Sequence, residues 1–173
     1  MRINFFAGPG AGKSVVAAQV FSYFKIKGYN VELVNEYIKG WAYQKIVPQS
    51  FDQYYIFSKQ LRSEDVILRT GTKNIVTDSP VLMQLAYMKR NGENYYSLLP
   101  IVNDFEKKYP SINVFLERNE IKYQKIGRYE DEPQAIQMDM IIKELLDESL
   151  ISYKRIQSID LQEIINFVSS YIE

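Results

Sequence analysis

A glycine-rich run near the amino terminus has the composition of a phosphate-binding loop. Residues 7–14 read AGPGAGKS, which matches the relaxed Walker A pattern with Ala7 in place of the usual first glycine. Small residues let main-chain N–H groups curl around phosphate oxygens, and a helix beginning near Lys13 would point its positive end at the same anion. The pattern predicts that Lys13 reaches the β- and γ-phosphates of a nucleoside triphosphate and that Ser14 ligates Mg²⁺. The residues expected to hold the nucleotide are Gly8, Pro9, Gly10, Ala11, Gly12, Lys13 and Ser14.

Two acidic residues follow predicted strands, where carboxylates can take part in phosphoryl transfer. Glu36 closes the second strand in the run VNEY, and Asp78 closes the third in the run VTDSP. In an open α/β sheet the carboxyl ends of the strands face the ligand crevice. We expect Asp78 to coordinate Mg²⁺, directly or through water, and a helix-capping role is compatible with this. We expect Glu36 to accept the proton of an attacking hydroxyl, with Asp78 as the other candidate base.

A polar, basic segment follows the fourth predicted strand and has the features of a lid over bound phosphate. The segment covers about residues 118–132 and contains Arg118, Lys122, Lys125 and Arg128. Phosphoryl transfer spreads negative charge over the equatorial oxygens of the transferred group, and an arginine on a closing segment can stabilise that charge. We expect Arg118 and Arg128 to have this catalytic role.

The region after the second strand is rich in side chains suited to binding a planar ring. Aromatic faces and side-chain amides here could bind a nucleobase or a pyridine ring of an acceptor. The residues expected to contact the acceptor are Glu36, Tyr37, Trp41, Gln53, Tyr54 and Gln60. Packing between helices is the alternative interpretation for each of the aromatic and amide residues.

Strand and helix patterns alternate along the chain. The apolar periodicity predicts five strands, at 2–7, 29–35, 74–77, 112–117 and 150–156. It predicts helices at 13–27, 36–47, 51–70, 80–90, 95–109, 132–148 and 160–172, with Asp131 and Pro133 beginning the sixth. This alternation is typical of a three-layer α/β/α P-loop fold, in which helices cover both faces of a five-stranded parallel sheet. We expect residues 1–173 to form a single domain with the lid attached.

The composition excludes several kinds of chemistry. The chain has no cysteine and no histidine, which excludes disulfides, thiolate metal sites and histidine-based catalysis. A general base must therefore be Asp or Glu, and a bound metal must be a hard ion held by oxygen. Lys and Arg total 21 against 21 Asp and Glu, so no strong nonspecific nucleic-acid binding is expected. Without a signal peptide or long apolar span, we expect a soluble cytoplasmic protein with no membrane partner; a homo-oligomer remains open.

Other sequence features favour one P-loop chemistry over the rest. The N-K-x-D motif that GTPases use for guanine is absent, and the third strand ends in a single acid instead of the paired D-E of motor ATPases. These features favour a kinase, with ATP as the expected donor and GTP left open. The alternative is a nucleotide-dependent ATPase or switch that acts on a protein partner.

The order of these motifs resembles that of a known group of enzymes. AGPGAGKS, VNEY, a helix rich in Gln and Tyr, VTDSP, and VFLERN with a basic lid are similar to small P-loop kinases of the nicotinamide riboside kinase type. Phage-encoded nucleotide kinases and hydroxymethyluridine DNA kinases are similar in kind. The resemblance implies transfer of the γ-phosphate of ATP, with Mg²⁺, to a hydroxyl of a nucleoside, nucleotide or hydroxymethylated pyrimidine. That pyrimidine can lie within DNA, and a phage protein would act in the host cytoplasm.

Overall fold

A central parallel sheet organises the molecule. The computed structural model describes residues 1–118 and 123–172. Its strands are β1 Arg2–Phe6, β2 Val31–Val34, β3 Asn74–Thr77, β4 Ser111–Glu117 and β5 Lys154–Gln157. They pair in parallel in the order β2-β3-β1-β4-β5. In the central strand, Ile3 lies in register with Val76 of β3 and with Ile112 of β4. The predicted five-stranded parallel sheet is confirmed.

Helices cover both faces of this sheet. They are α1 Lys13–Ile26, α2 Lys39–Gln44, α3 Asp52–Arg69, α4 Val81–Arg90, α5 Leu99–Lys108, α6 Glu132–Glu148 and α7 Leu161–Ser169. Phe5 packs with α1 and α7 on one face, whereas Phe6 packs with α4, α5 and α6 on the other. This separation follows from the alternation of side chains along a strand. The three-layer α/β/α prediction is confirmed. Among the described residues, no helix combines the length and apolar character needed to cross a bilayer.

Three predicted elements differ from the observed ones, each for its own physical reason. β5 starts at Lys154 instead of residue 150, since Leu150 (φ 54°) and the next residue close the end of α6. The helix predicted over 36–47 is shorter and forms only α2. The N–H groups of Glu36 and Tyr37, which precede it, bind the side chains of Asp78 and Gln60 instead. The helix predicted over 95–109 splits into one turn of 3-10 helix and α5, whose first turn contains Pro100.

The start of α6 is formed as predicted from the sequence. Asp131 accepts a hydrogen bond of 2.9 Å from the main chain of Gln134, and the Gln134 side chain returns a bond to the Asp131 N–H. Pro133 stands in the first turn, where its missing N–H costs nothing. This capping box sets the direction in which α6 leaves the lid segment.

Strand order decides which loops meet at the carboxyl edge of the sheet. β3 lies between β1 and β2, so the loops after these three strands are adjacent. The loop after β1 contains the glycine-rich run, the loop after β3 contains Asp78, and the loop after β2 contains Glu36.

Candidate active site

The glycine-rich run forms the loop between β1 and α1. Gly10 and Gly12 have φ values of 80° and 92°, which residues with a Cβ rarely adopt. Lys13 folds back across the loop, and its ammonium donates to the carbonyl oxygens of Ala7 at 2.7 Å and Gly8 at 3.0 Å. Burial lowers the pKa of Lys13, and the nearby carboxylates of Glu36 and Asp78 oppose that shift. The loop therefore has the form of an anion cradle with its lysine held at the rim.

The two predicted acids lie next to each other beside this loop. The main-chain N–H of Glu36 donates to Oδ1 of Asp78 over 3.1 Å. Asp78 is buried, whereas Glu36 is partly exposed. Burial raises the pKa of the Glu36 carboxyl; the charge of Lys13 opposes this rise, and Asp78 adds to it. A carboxylate of raised pKa is a stronger base than an ordinary carboxylate, which suits proton acceptance beside a phosphate cradle.

The two arginines predicted for the lid differ in their surroundings. Arg118 pairs through Nε with Asp139 of α6 and donates to the carbonyl oxygen of Ala135 at 2.9 Å. Arg128 stacks over the ring of Tyr123 at 5.3 Å, and its Nη1 is buried without a hydrogen-bond partner. Arg128 thus presents unused donor capacity, whereas Arg118 is held on α6. Lys122 lies outside the described residues.

The described part of the lid packs on the phosphate loop and on the segment around α2. A Cβ placed on Gly10 would come within 2.6 Å of the Tyr123 ring, and one placed on Gly127 within 2.6 Å of Tyr43. The Tyr129 hydroxyl donates to the carbonyl oxygen of Ile46 over 2.6 Å. Gly10 and Gly127 also have φ values of 80° and 73°, which residues with a Cβ rarely adopt, so glycine suits both close approaches.

One cleft of about 500 Å³ joins these groups. Lys13, Ser14, Glu36, Asp78 and Arg128 all line it. Its other lining residues include Pro9, Gly10, Gly12, Gln53, Gln84, Tyr87, Arg90 and Glu130. Gln53 donates through Nε2 to Oε1 of Gln84 at 2.9 Å, so two buried amides stand side by side.

Several predicted site residues stand outside this cleft. All of them are described by the structure, but they do not line the cleft: Gly8, Ala11, Arg118, Tyr37, Trp41, Tyr54 and Gln60. Trp41 stacks on Tyr55 with ring centroids 6.2 Å apart, and Gln60 accepts the N–H of Tyr37 over 3.1 Å. These contacts support the alternative interpretation, packing between helices, because the aromatic faces are turned to one another. Of the residues predicted to contact the acceptor, Gln53 and Glu36 reach the cleft.

Other residues of the site were not identified from the sequence. Gln84 and Tyr87 lie three residues apart on α4, and this helical spacing after VTDSP was a usable signal. Asp139 had no such signal. Its Oδ1 accepts the N–H of Gly8 at 2.6 Å, from a position 131 residues away in the chain.

The donor set near the loop fits a hard cation. The Ser14 hydroxyl and the Asp78 carboxylate both line the cleft and are oxygen ligands of the kind that Mg²⁺ prefers. Mg²⁺ bound with a nucleotide usually takes only one or two protein ligands, and phosphate oxygens and water supply the rest. The described residues contain no group of three or more acidic, Cys or His residues with metal-binding geometry.

Comparison with protein families gives the relationship of the chain. A family model described as an AAA domain matches residues 2–163. The chain belongs to the AAA domain family. This AAA-family match includes the phosphate loop, both acids, the lid and α6. No curated protein sequence matches the chain.

Solved structures share the fold of this AAA-family domain. Deoxyadenosine kinase from M. mycoides with bound dATP superposes with a TM-score of 0.64, at 16% sequence identity, over 98% of this chain and 97% of that one. The same enzyme with dCMP and a flexible dCDP gives a TM-score of 0.61 at the same identity and coverage. At this identity the likeness shows that the three-layer α/β/α fold is shared.

Proposed function

We propose that this protein is an ATP-dependent kinase that transfers the γ-phosphoryl group to a hydroxyl of a nucleoside-type acceptor. The observation that carries the proposal is that the phosphate loop, Glu36 and the amides of Gln53 and Gln84 line the same cleft. A nucleotide at the loop leaves the part of the cleft along α4 for a second molecule. An enzyme that transfers phosphate only to water has no need of such a compartment.

The residues of the cleft supply what the transfer requires. Glu36 would take the proton of the acceptor hydroxyl while the hydroxyl oxygen forms a bond to the γ-phosphorus. The bond between the γ-phosphorus and the β,γ-bridging oxygen would break, and ADP would leave. Lys13 and the unused donor of Arg128 would stabilise the charge on the transferred group. Ser14 and Asp78 would hold Mg²⁺, which would supply positive charge to the nucleotide phosphates.

The amide pair supports a ring-bearing acceptor. Gln84 accepts from Gln53 through Oε1 and donates through Nε2 to the Ser79 hydroxyl at 3.1 Å, so the remaining capacity of the pair is one N–H on each amide and the Oε1 of Gln53. Side-chain amides both donate and accept, which is what the edge of a nucleobase or a nicotinamide carboxamide requires. The Tyr87 ring lines the same part of the cleft.

Charge in the acceptor part of the cleft favours an uncharged acceptor. The cleft has three carboxylates, those of Glu36, Asp78 and Glu130. Of its cations, Arg90 is paired with Glu130, Lys13 and Arg128 are assigned to the transferred phosphate, and Lys39 is exposed. A nucleoside monophosphate would bring a dianion close to these groups, which costs electrostatic energy. We therefore favour a free nucleoside, nicotinamide riboside included, over a nucleotide or a hydroxymethylated pyrimidine within DNA.

A labelled-phosphate screen tests the proposal. Wild-type protein and Lys13→Ala would be incubated with γ-labelled ATP, Mg²⁺ and each candidate: nucleosides, nicotinamide riboside, nucleoside monophosphates, and DNA with hydroxymethylated pyrimidines. We expect label on a nucleoside with wild type and none with Lys13→Ala. Label on DNA would instead identify the modified base as acceptor. ATP turnover at full rate without any acceptor would contradict a kinase and favour the ATPase or switch.

A further inference from the structure

Glu64 is a buried carboxylate outside the cleft that the proposed reaction does not use. It lies on α3 with no exposed side-chain surface, and Arg2 of β1 approaches it at 3.5 Å through Nη1. Arg2 also pairs with Glu106 of α5. A buried ion pair adds little stability by itself, so the other contacts of Glu64 are informative.

Those contacts reach the loop that carries Asp78. Oε1 of Glu64 accepts the main-chain N–H of Val81 over 3.0 Å. Val81 is the first residue of α4 and follows Asp78 by three positions. The Glu64 carboxylate thereby holds the beginning of α4, where a negative charge is favoured.

The same oxygen also reaches the loop that carries Glu36, through one intermediate residue. Gln60, one helical turn earlier on α3, directs Nε2 to Oε1 of Glu64 at 3.5 Å. The Oε1 of the same Gln60 amide accepts the main-chain N–H of Tyr37 over 3.1 Å. The N–H of Glu36 binds Asp78. These four hydrogen bonds, joined by the main chain over residues 36–37 and 78–81, therefore form a closed ring through both acidic loops.

We propose that Glu64 is a positioning residue that holds Glu36 and Asp78 in their mutual arrangement. This inference rests on the proposed kinase function. Both acids stand in loops outside regular structure, and side-chain acceptors fix the N–H groups of those loops. A displacement of about 1 Å at reacting groups can lower a rate by about 100-fold.

The electrostatics of Glu64 agree with such a role. Burial raises its pKa to about 7, and Arg2, Gln60 and the Val81 N–H all favour the charged form. A buried carboxylate in this position is costly to keep, yet its hydrogen bonds run to the two loops of the cleft.

Variants that break the ring at two points test the proposal. Gln60→Met removes the link to Tyr37 and leaves the Arg2–Glu64 pair in place, whereas Glu64→Gln removes the shared charge. The matched control is Glu106→Gln, which removes the same charge from the other partner of Arg2 and lies outside the ring. Each protein would be assayed for kcat, for KM of ATP and acceptor, and for amide exchange at Tyr37 and Val81.

We expect Gln60→Met and Glu64→Gln each to lower kcat at least about tenfold with little change in KM for ATP, and to speed amide exchange at the residues they release. The kcat of the double variant should equal that of the more impaired single variant, because both substitutions act through the same ring. Glu106→Gln should lose stability and keep kcat. Faster exchange in the ring variants with unchanged kcat, or an equal kcat loss in Glu106→Gln, would overturn the positioning role. No transfer to any acceptor by wild type would overturn the proposed function itself.

Discussion

The main-chain N–H of Glu36 donates a hydrogen bond of 3.1 Å to the carboxylate of Asp78, although the two residues lie 42 positions apart in the chain. This bond occupies one oxygen of Asp78 and brings both acids to the same side of the phosphate loop. In the proposed reaction Asp78, whose carboxylate the main chain fixes, would hold the cation, and Glu36, whose pKa burial raises, would be the base.

Replacing Glu36 by Gln should remove the base and retain the nucleotide. We expect kcat to fall by about 10²–10⁴-fold with the Kd for ATP unchanged, since in the described part of the chain the N–H groups of the phosphate loop form no hydrogen bond with the Glu36 carboxylate. Because burial raises the pKa of Glu36 and only the deprotonated form accepts a proton, wild-type kcat/KM should rise with pH. The midpoint should lie above the ordinary carboxyl value of about 4.3. An acid limb that persists unchanged in Glu36→Gln would exclude Glu36 as the base.

Lys13→Ala should lose transfer and keep the fold. The ammonium bridges two loop carbonyls, and we expect β1, α1 and the glycine conformations to persist without it, since other contacts form them. We expect kcat to fall by about 10²–10³-fold, as for loss of one preorganised donor. The circular dichroism spectrum should match that of wild type. Lys25→Ala, which removes an exposed lysine of the same helix, is the control and should keep full activity.

Arg128→Met should affect the rate more than nucleotide binding. Its buried Nη1 has no partner in the described structure, so the guanidinium is free to bind the transferred phosphate. We expect kcat to fall at least about 100-fold with a small change in KM for ATP. Arg118→Met should act differently, weakening ATP binding, because Arg118 holds Asp139 against the Gly8 N–H. Lys125→Met, an exposed change in the same segment, should be neutral. Equal kcat losses at all three positions would contradict this division.

Glu64 should give the folded protein a defined pH dependence of stability. Its pKa is about 7 when folded and about 4.3 when unfolded, so the folded state binds the proton more tightly between these values. The free energy of unfolding that depends on Glu64 therefore falls as pH rises from about 5 to about 7 and is constant above about 8. Arg2 faces Glu64, and Glu106 shares that arginine.

Urea unfolding at pH 5, 6, 7 and 8 measures this effect. The stability of Glu64→Gln relative to wild type should increase by roughly 1–3 kcal/mol over that range, since glutamine does not titrate. Glu106→Gln serves as the control because it leaves the Glu64 carboxyl in place. A difference that is flat with pH would contradict the raised pKa.

Leu150→Gly should stabilise the protein. Leu150 has φ 54° and a side chain 91% exposed, so it carries left-handed strain with almost no burial in return. We expect the free energy of unfolding to rise by about 0.5–1 kcal/mol, measured by urea unfolding. Lys27→Gly is the matched control. Lys27 also ends a helix but has φ −76°, so glycine there should lower stability.

Local features of this chain could be predicted because their causes lie close together in sequence. The phosphate loop, the strand before it and α1 occupy residues 2–26, and the Asp131 capping box involves residues three apart. The parallel sheet followed from the alternation of strands and helices. Placement of Glu36 and Asp78 at strand ends followed from the same alternation.

Tertiary structure decided which side chains meet in the cleft. Strand pairing across some 70 to 110 residues sets the loops beside one another, and packing then selected Gln84 and Tyr87 for the cleft while Trp41 turned to Tyr55. The sequence did not distinguish the two lid arginines. In the folded chain Asp139 of α6 binds Arg118, whereas Arg128 lines the cleft with its Nη1 unpaired among the described residues. By itself, then, the sequence determined the phosphate cradle and the layered fold, since both arise from short-range periodicity and backbone preference. The partners of each buried polar group depend on contacts between distant segments, which only the folded chain brings together.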